Sequence, residues 1–250
     1  MAGQVATRAR RIADELKGLA VTLGVMLLAG TAIGQPFIVP SGSMEPTLMI
    51  GDEIAAAKYA YGYGRYSSPV GTIPLKGRIL EQPPERGDIA VFALPRDPSQ
   101  TYVKRVIGLP GDRVQMRDGI LYINGAAVPR RAVGPVAMIA DGTPVRGTRY
   151  VETLPNGRTH DIVTIPGGPL GDTPEFTVPA GSYFMMGDNR DNSLDSRVDP
   201  AEGGVGFVPA ENLIGRVDRV LFSIAPFNNW LAVAADPVAL RISRLFHAVH

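Results

Sequence analysis

A mainly β chain behind an N-terminal membrane-crossing helix is the fold class this sequence predicts, and three observations predict it. Turn formers are dense, with 29 Gly and 22 Pro among 250 residues, while long helical periodicity is scarce. Apolar residues come in short runs bounded by Gly, Pro, Asn and Asp, as strands do. Residues Gly18 to Met44 carry no charge and follow the basic residues Arg8, Arg10, Arg11 and Lys17.

That basic segment sets the first boundary. Residues 1–17 are expected in the cytoplasm, because lysine and arginine hold a flank inside and Asp14 and Glu15 count little in that rule. Residues 18–35 are expected to cross the membrane. The apolar part, Leu19 to Ile33, is short for a span, and the uncharged flanks extend it. A cleaved secretory leader is the competing reading, since Gly30-Thr31-Ala32 is a passable small-x-small site. The uncleaved anchor fits better, because the charge-free stretch runs on to Met44.

Beyond the anchor the chain reads as strands. Gly51 to Tyr59 is a candidate, and Arg86-Gly87-Asp88 turns into the apolar run Ile89-Ala90-Val91-Phe92. Thr101 to Ile107 follows, closed by Gly108-Leu109-Pro110-Gly111-Asp112. Asp118-Gly119 and Asn124-Gly125 bracket Ile120 to Ile123, which predicts a meander with tight primed turns. Residues 36–125 are thus expected to form the first part of a core. Residues 126–180 are looser in composition and read as an inserted subdomain or long loops. A buried strand resumes at Tyr183-Phe184-Met185-Met186, within a second core part spanning 181–235. Residues 236–250 are expected to be an amphipathic helix, with Asp236 as N-cap and Pro237 at its first position, docked on the domain or lying in a membrane interface.

Composition narrows the chemistry. A net charge of +1 provides no field for nucleic acid. The absence of cysteine removes disulfides, thiol catalysis and Cys-ligated zinc. The three histidines, His160, His247 and His250, sit in no triad motif. Asp191, Ser193, Asp195 and Glu202 have calcium-loop spacing. Ser196 stands where such a loop needs glycine, so no metal is expected. No cofactor is expected either.

Two segments remain chemically unusual. Alternation places Tyr102, Lys104 and Val106 on one strand face. A lysine among apolar neighbours is poorly solvated, and desolvation disfavours its ammonium form. Keeping an ordinary lysine neutral near pH 7 costs about 4–5 kcal/mol from its usual pKa near 10.4. A neutral amine can then take a proton from serine. A lysine snorkelling from an edge strand is the plainer alternative. The second segment is Pro40-Ser41-Gly42-Ser43-Met44-Glu45-Pro46-Thr47, directly after the apolar run. Prolines stiffen it and Gly42 permits close backbone approach, so Ser43 could attack while its own amide and the Ser41 hydroxyl hold an oxyanion. A plain linker turn is the alternative there. In the polar loop Gly187 to Arg197, Asp195 can pair with Arg197, and Ser193 can orient an amine without recharging it.

These segments, taken in order, resemble the bacterial type I signal peptidases, or leader peptidases. The resemblance lies in Pro40 to Leu48, Arg86-Gly87-Asp88-Ile89, Tyr102 to Asp112 and Gly187 to Arg197. It implies an antiparallel β catalytic core with an inserted second β domain. It implies Ser43 as nucleophile, Lys104 as general base, Ser41 as oxyanion donor, Ser193 as the orienting hydroxyl, and Asp195 with Arg197 as a structural ion pair. Phe37, Val39, Met44, Tyr102, Val103 and Met185 fall where the family lines shallow pockets for small P1 and P3 side chains. The implied substrates are secretory preproteins cut after Ala-x-Ala. The implied location is the inner membrane, single-pass, with the catalytic part on the outer side, touching lipid and working as a monomer. Phe227 and Trp230 are candidates for a lipid-facing patch. Two rival readings stay open: a specialised Ser/Lys maturation peptidase, such as one that processes a conjugation pilin, and a non-enzymatic membrane-anchored β module.

Overall fold

The computed structural model of the chain describes residues 14–26, 28, 34–68, 72, 74–140, 143–225 and 240–249. Fourteen strands are described among them. They are β1 (Gly34–Ile38), β2 (Asp52–Ala57), β3 (Ile89–Leu94), β4 (Asp97–Gly108), β5 (Arg113–Arg117), β6 (Ile120–Ile123), β7 (Ala126–Ala127), β8 (Arg130–Ala140), β9 (Thr143–Thr153), β10 (Thr159–Thr164), β11 (Phe176–Thr177), β12 (Ser182–Met186), β13 (Val208–Pro209) and β14 (Leu213–Ser223). They form a seven-stranded sheet in the order β1-β2-β14-β3-β4-β12-β13, a three-stranded sheet β10-β9-β8 and a four-stranded sheet β11-β5-β6-β7. The named strands pair antiparallel throughout.

The seven-stranded sheet carries the core on both faces. Its central strand β3 sends Ile89, Val91 and Ala93 into one apolar cluster and Ala90, Phe92 and Leu94 into the other. That two-sided burial is why the strand reads as an unbroken apolar run instead of an alternating one. A third cluster joins Phe184 and Met186 to Val114, Met116, Leu121 and Ile123, and so welds the four-stranded sheet to the edge of the large one. The meander has the expected turns. Asp118 and Gly119 take φ of 48° and 69°, and Asn124 and Gly125 take 54° and 82°, as a two-residue primed turn requires.

Residues 126–180 carry two eleven-residue strands, β8 and β9, with β10 beside them. Their threonines, glycines and prolines hid this length from periodicity.

Two expectations are corrected, the helical bounds over 18–35 and the C-terminal helix. Among the described residues no helix is long and apolar enough to cross a membrane. Residues 14–26 are helical, but Gly34 and Gln35, placed by sequence within a span over 18–35, belong to β1. The reason is pairing: Gly34 faces Ala57, and the Gln35 amide oxygen accepts a 3.0 Å hydrogen bond from Lys58 Nζ. At the other end, residues 240–249 form one short 3-10 turn, Ile242–Arg244, and no α-helix. They run beside β14, with bridges Ile224–Leu240 and Arg219–Ala248, so their backbone groups are met by a strand and not by their own turns. Residues 236–239, Phe227 and Trp230 lie outside the described residues.

Candidate active site

The Ser-rich turn lies between β1 and β2. Ser41 is extended, at φ −135° and ψ 155°, and Gly42–Met44 then tightens into a 3-10 turn. Met44 anchors this turn from beneath, fully buried with Val39 and Leu48. Val39 and Met44, which the family resemblance assigns to the pocket lining, thus form the floor of the turn. Ser43 is itself buried in this turn, and Ser41 Oγ lies 3.4 Å from Ser43 Oγ.

Strand β4 delivers the lysine. Its first half is exposed, and its last five residues, Lys104 to Gly108, are buried between β3 and β12. Lys104 is only 3% exposed. Its Nζ donates to Ser43 Oγ at 2.6 Å and to Val103 O at 3.1 Å, and lies 5.5 Å from the centre of the Tyr102 ring. Burial pushes its pKa down to about 8. The carboxylates of Asp195 and Asp188 oppose that shift, and Arg197 adds to it. At neutral pH about a tenth of the molecules would then hold a free amine beside the serine hydroxyl.

The polar loop after β12 encloses the other side. Asp195 and Arg197 form a buried, bidentate pair, with Nε and Nη2 at 2.9 and 2.8 Å from the two carboxylate oxygens. Burial tends to raise the Asp195 pKa, but the Arg197 charge and hydrogen bonds from Arg197 and the Gly187 amide outweigh it and hold it low. Gly187 packs against Ser43 O and Ser193, and a Cβ there would collide with both. Ser193 Oγ is buried in this wall without a hydrogen-bond partner among the described residues, so the sequence-expected bond to Lys104 is not made.

A cavity of about 840 Å³ opens over Ser43 and Lys104. Of the residues expected in substrate pockets, Phe37, Tyr102 and Val103 line it. Val39, Met44 and Met185 do not. They are buried in the apolar clusters on the two faces of the sheet, Val39 and Met44 in one and Met185 in the other. Sequence reasoning missed Ile38, Pro169, Leu170 and Leu194, which are among the other lining residues. The last three come from loops, where no periodicity marks a facing side.

It also missed the residues that hold the serine turn. Asn189 donates its backbone N–H to Ser43 O at 3.1 Å and its side-chain amide to Gly42 O at 3.0 Å. Asp188 accepts from the Thr47 hydroxyl at 2.5 Å and from Arg105 Nε and Nη2 at 2.8 and 2.7 Å. Burial would raise the Asp188 pKa; the Arg105 charge and hydrogen bonds prevail and keep it below the ordinary range. Arg105 points to the face of β4 opposite Lys104, so one strand provides both an amine for the serine and a guanidinium for the loop that holds it.

Comparison with known proteins gives this constellation its family. A profile described as signal peptidase, peptidase S26, matches residues 12–222. The chain belongs to the signal peptidase family. Curated relatives agree along nearly the whole length. Signal peptidase I of Rickettsia typhi is 42% identical over 255 aligned residues, covering 95% of this chain and 94% of that protein. Signal peptidase I of Rickettsia canadensis is 45% identical over 223 residues, covering 84% and 80%. A solved signal peptidase I from Enterococcus faecalis is 30% identical, covers 54% of this chain and 97% of that one, and superposes with a TM-score of 0.31. As a signal peptidase the chain is a serine endopeptidase, a hydrolase of peptide bonds.

Proposed function

We propose that this signal peptidase removes signal peptides from secretory preproteins with a Ser43–Lys104 dyad. One observation carries the reading: a buried lysine amine donating at 2.6 Å to a serine hydroxyl at the edge of a polypeptide-sized cavity. The preprotein enters extended, along the exposed half of β4 and β1, where unpaired backbone can take an added strand. Small P1 and P3 residues, as in Ala-x-Ala, point toward the walls formed by Phe37, Tyr102 and Val103. Neutral Lys104 takes the Ser43 proton as Oγ attacks the carbonyl carbon. The Ser41 hydroxyl and the Ser43 amide hold the oxyanion. The leaving amine takes the proton from Lys104, and the mature protein departs. Lys104 then deprotonates water, which hydrolyses the acyl-enzyme. Ser193 accepts from the amine once acylation has consumed the Ser43 hydroxyl, which gives its buried, unpartnered oxygen a use.

The membrane anchor belongs to the same reading. From Gly18 to Met26 the helix carries no charge, and Leu19, Val21, Leu23 and Met26 are each more than half exposed. Such a surface is stable in lipid and not in water. The arginines before it favour an N-terminus in the cytoplasm, with the sheets on the outer side of the inner membrane.

The test is cleavage of a purified preprotein in detergent by wild type, Ser43→Ala and Lys104→Ala, with new N-termini read by mass spectrometry. Cleavage by wild type alone, after Ala-x-Ala, is expected. Cutting by either variant at wild-type rate would remove the dyad.

A further inference from the structure

We propose that residues 240–249 form a strap that positions the nucleophile turn, with Arg244 as its positioning residue. The proposal rests on Ser43 as the nucleophile.

The strap is fixed to β14 through its backbone. Arg241 N donates to Ser223 O at 2.8 Å, Val220 N to His247 O at 2.8 Å, and Val249 N to Asp218 O at 3.0 Å. From this rail two guanidinium groups reach inward. Arg241 Nη1 donates to Ile50 O at 2.9 Å. Arg244 Nη2 donates to Thr47 O at 2.9 Å, and its Nε donates to Asp52 Oδ1 at 2.9 Å. The fully buried Asp52 carboxylate also accepts the Met49 amide at 2.8 Å. Val249, near the end of the strap, packs in the same cluster as Val39, Met44 and Leu48.

All these partners lie in one loop. Gly51 N donates to Val39 O at 3.0 Å and Val39 N to Asp52 O at 2.8 Å, which ties its two ends together. Ser43 sits at its head, and Leu48 N donates to Met44 O at 2.9 Å behind it. Thr47 is gripped from two sides: Asp188 holds its hydroxyl and Arg244 its carbonyl. Asp188 belongs to the polar loop that also forms the catalytic wall. The strap does not belong to it, and none of its residues lines the cavity over Ser43. Its two inward-reaching side chains meet the loop that carries the serine.

Nucleophile placement affects the chemical step far more than substrate capture, since a displacement of about 1 Å can cost on the order of a hundredfold in rate. Arg244→Ala should lower kcat by about tenfold or more and leave KM within about threefold. The pH limb set by Lys104 should stay where it is, because that lysine has no contact with the strap.

The experiment measures kcat, KM and the pH–rate profile on a purified preprotein, with the full chain in detergent. The variants are Ser43→Ala, Arg244→Ala and the double variant Arg244→Met with Asp52→Asn. The double variant removes both charges, so no buried carboxylate is left unpaired to threaten the fold. Rates are expressed per folded molecule from thermal melts. A kcat loss in both Arg244 variants with KM and the pH limb unmoved supports the strap. Wild-type kcat in the folded double variant overturns it, as does a loss that resides in KM. A fully active Ser43→Ala instead overturns the serine assignment.

Discussion

Lys104 is the residue on which burial and chemistry conflict. Its ammonium is disfavoured in the fold, so its pKa falls from 10.5 to about 8. Below pH 8 the folded protein carries the full cost of burying a cation, and the cost is relieved as pH rises from 8 toward 10.5. The shift corresponds to roughly 3 kcal/mol, at about 1.36 kcal/mol per pKa unit. Lys104→Met should therefore abolish cleavage yet raise the melting temperature at pH 7 by about 5 °C or more. A melt lower than wild type would contradict that trade. Activity carries the opposite face of the same shift. In the proposed dyad the free amine is the base, so kcat/KM should rise about tenfold per pH unit below pH 8 and level off above it. Lys104→Arg should be inactive across that range, since arginine keeps its proton; a pH-rate series on both proteins decides it.

At the scale of elements, three segments distant in sequence converge on the serine turn. β4 brings Lys104, the loop after β12 brings Asn189 and Asp188, and the C-terminal strap brings Arg244. Asn189 has no part in the proposed proton transfer, yet it hydrogen-bonds to both Ser43 and Gly42. Asn189→Ala removes the side-chain bond to Gly42 O and leaves the backbone bond. We expect kcat to fall about tenfold with a nearly wild-type KM, read from steady-state cleavage of a preprotein. An unchanged kcat would mean that the 3-10 turn holds itself. The sequence revealed the strands and the tight turns here, because Asp-Gly and Asn-Gly pairs and apolar runs are local signals. It could not reveal that Thr47 meets Asp188 141 positions away, because nothing local to either residue encodes the meeting.

On the scale of the whole molecule, a buried ionic network joins the three-stranded sheet to the core. Glu152 of β9 pairs with Arg190 at 2.9 Å through Nη1, and His160 of β10 lies between Arg190, Glu152 and Asp188. Burial, aided by the Arg105 charge, pushes the His160 pKa down to about 4. Between pH 6.5 and 4 the unfolded chain takes up this proton and the folded protein does not, so stability falls by up to roughly 3 kcal/mol over that window. Asp188, Glu152 and Asp195 have depressed pKa values, so their contribution is present above the unfolded carboxylate range and is lost below it. Urea denaturation at pH 7 and pH 4.5 should show a large loss for wild type and a smaller one for His160→Phe. Equal losses would assign the acid sensitivity elsewhere.

The sequence by itself determined the mainly β class, the primed turns, the family and the pairing of a serine turn with a strand lysine. Each of these is written in local pattern: period-2 alternation, turn dipeptides and four motifs in order. Tertiary structure decided which expected pocket residues face the cavity and which are buried in the core, with Phe37, Tyr102 and Val103 in the first group and Val39, Met44 and Met185 in the second. It also decided that residues 240–249 lie along β14 instead of coiling. Both outcomes depend on which neighbour is available to bury an apolar side or satisfy a backbone group, and that neighbour is set by the whole fold and not by the adjacent residues.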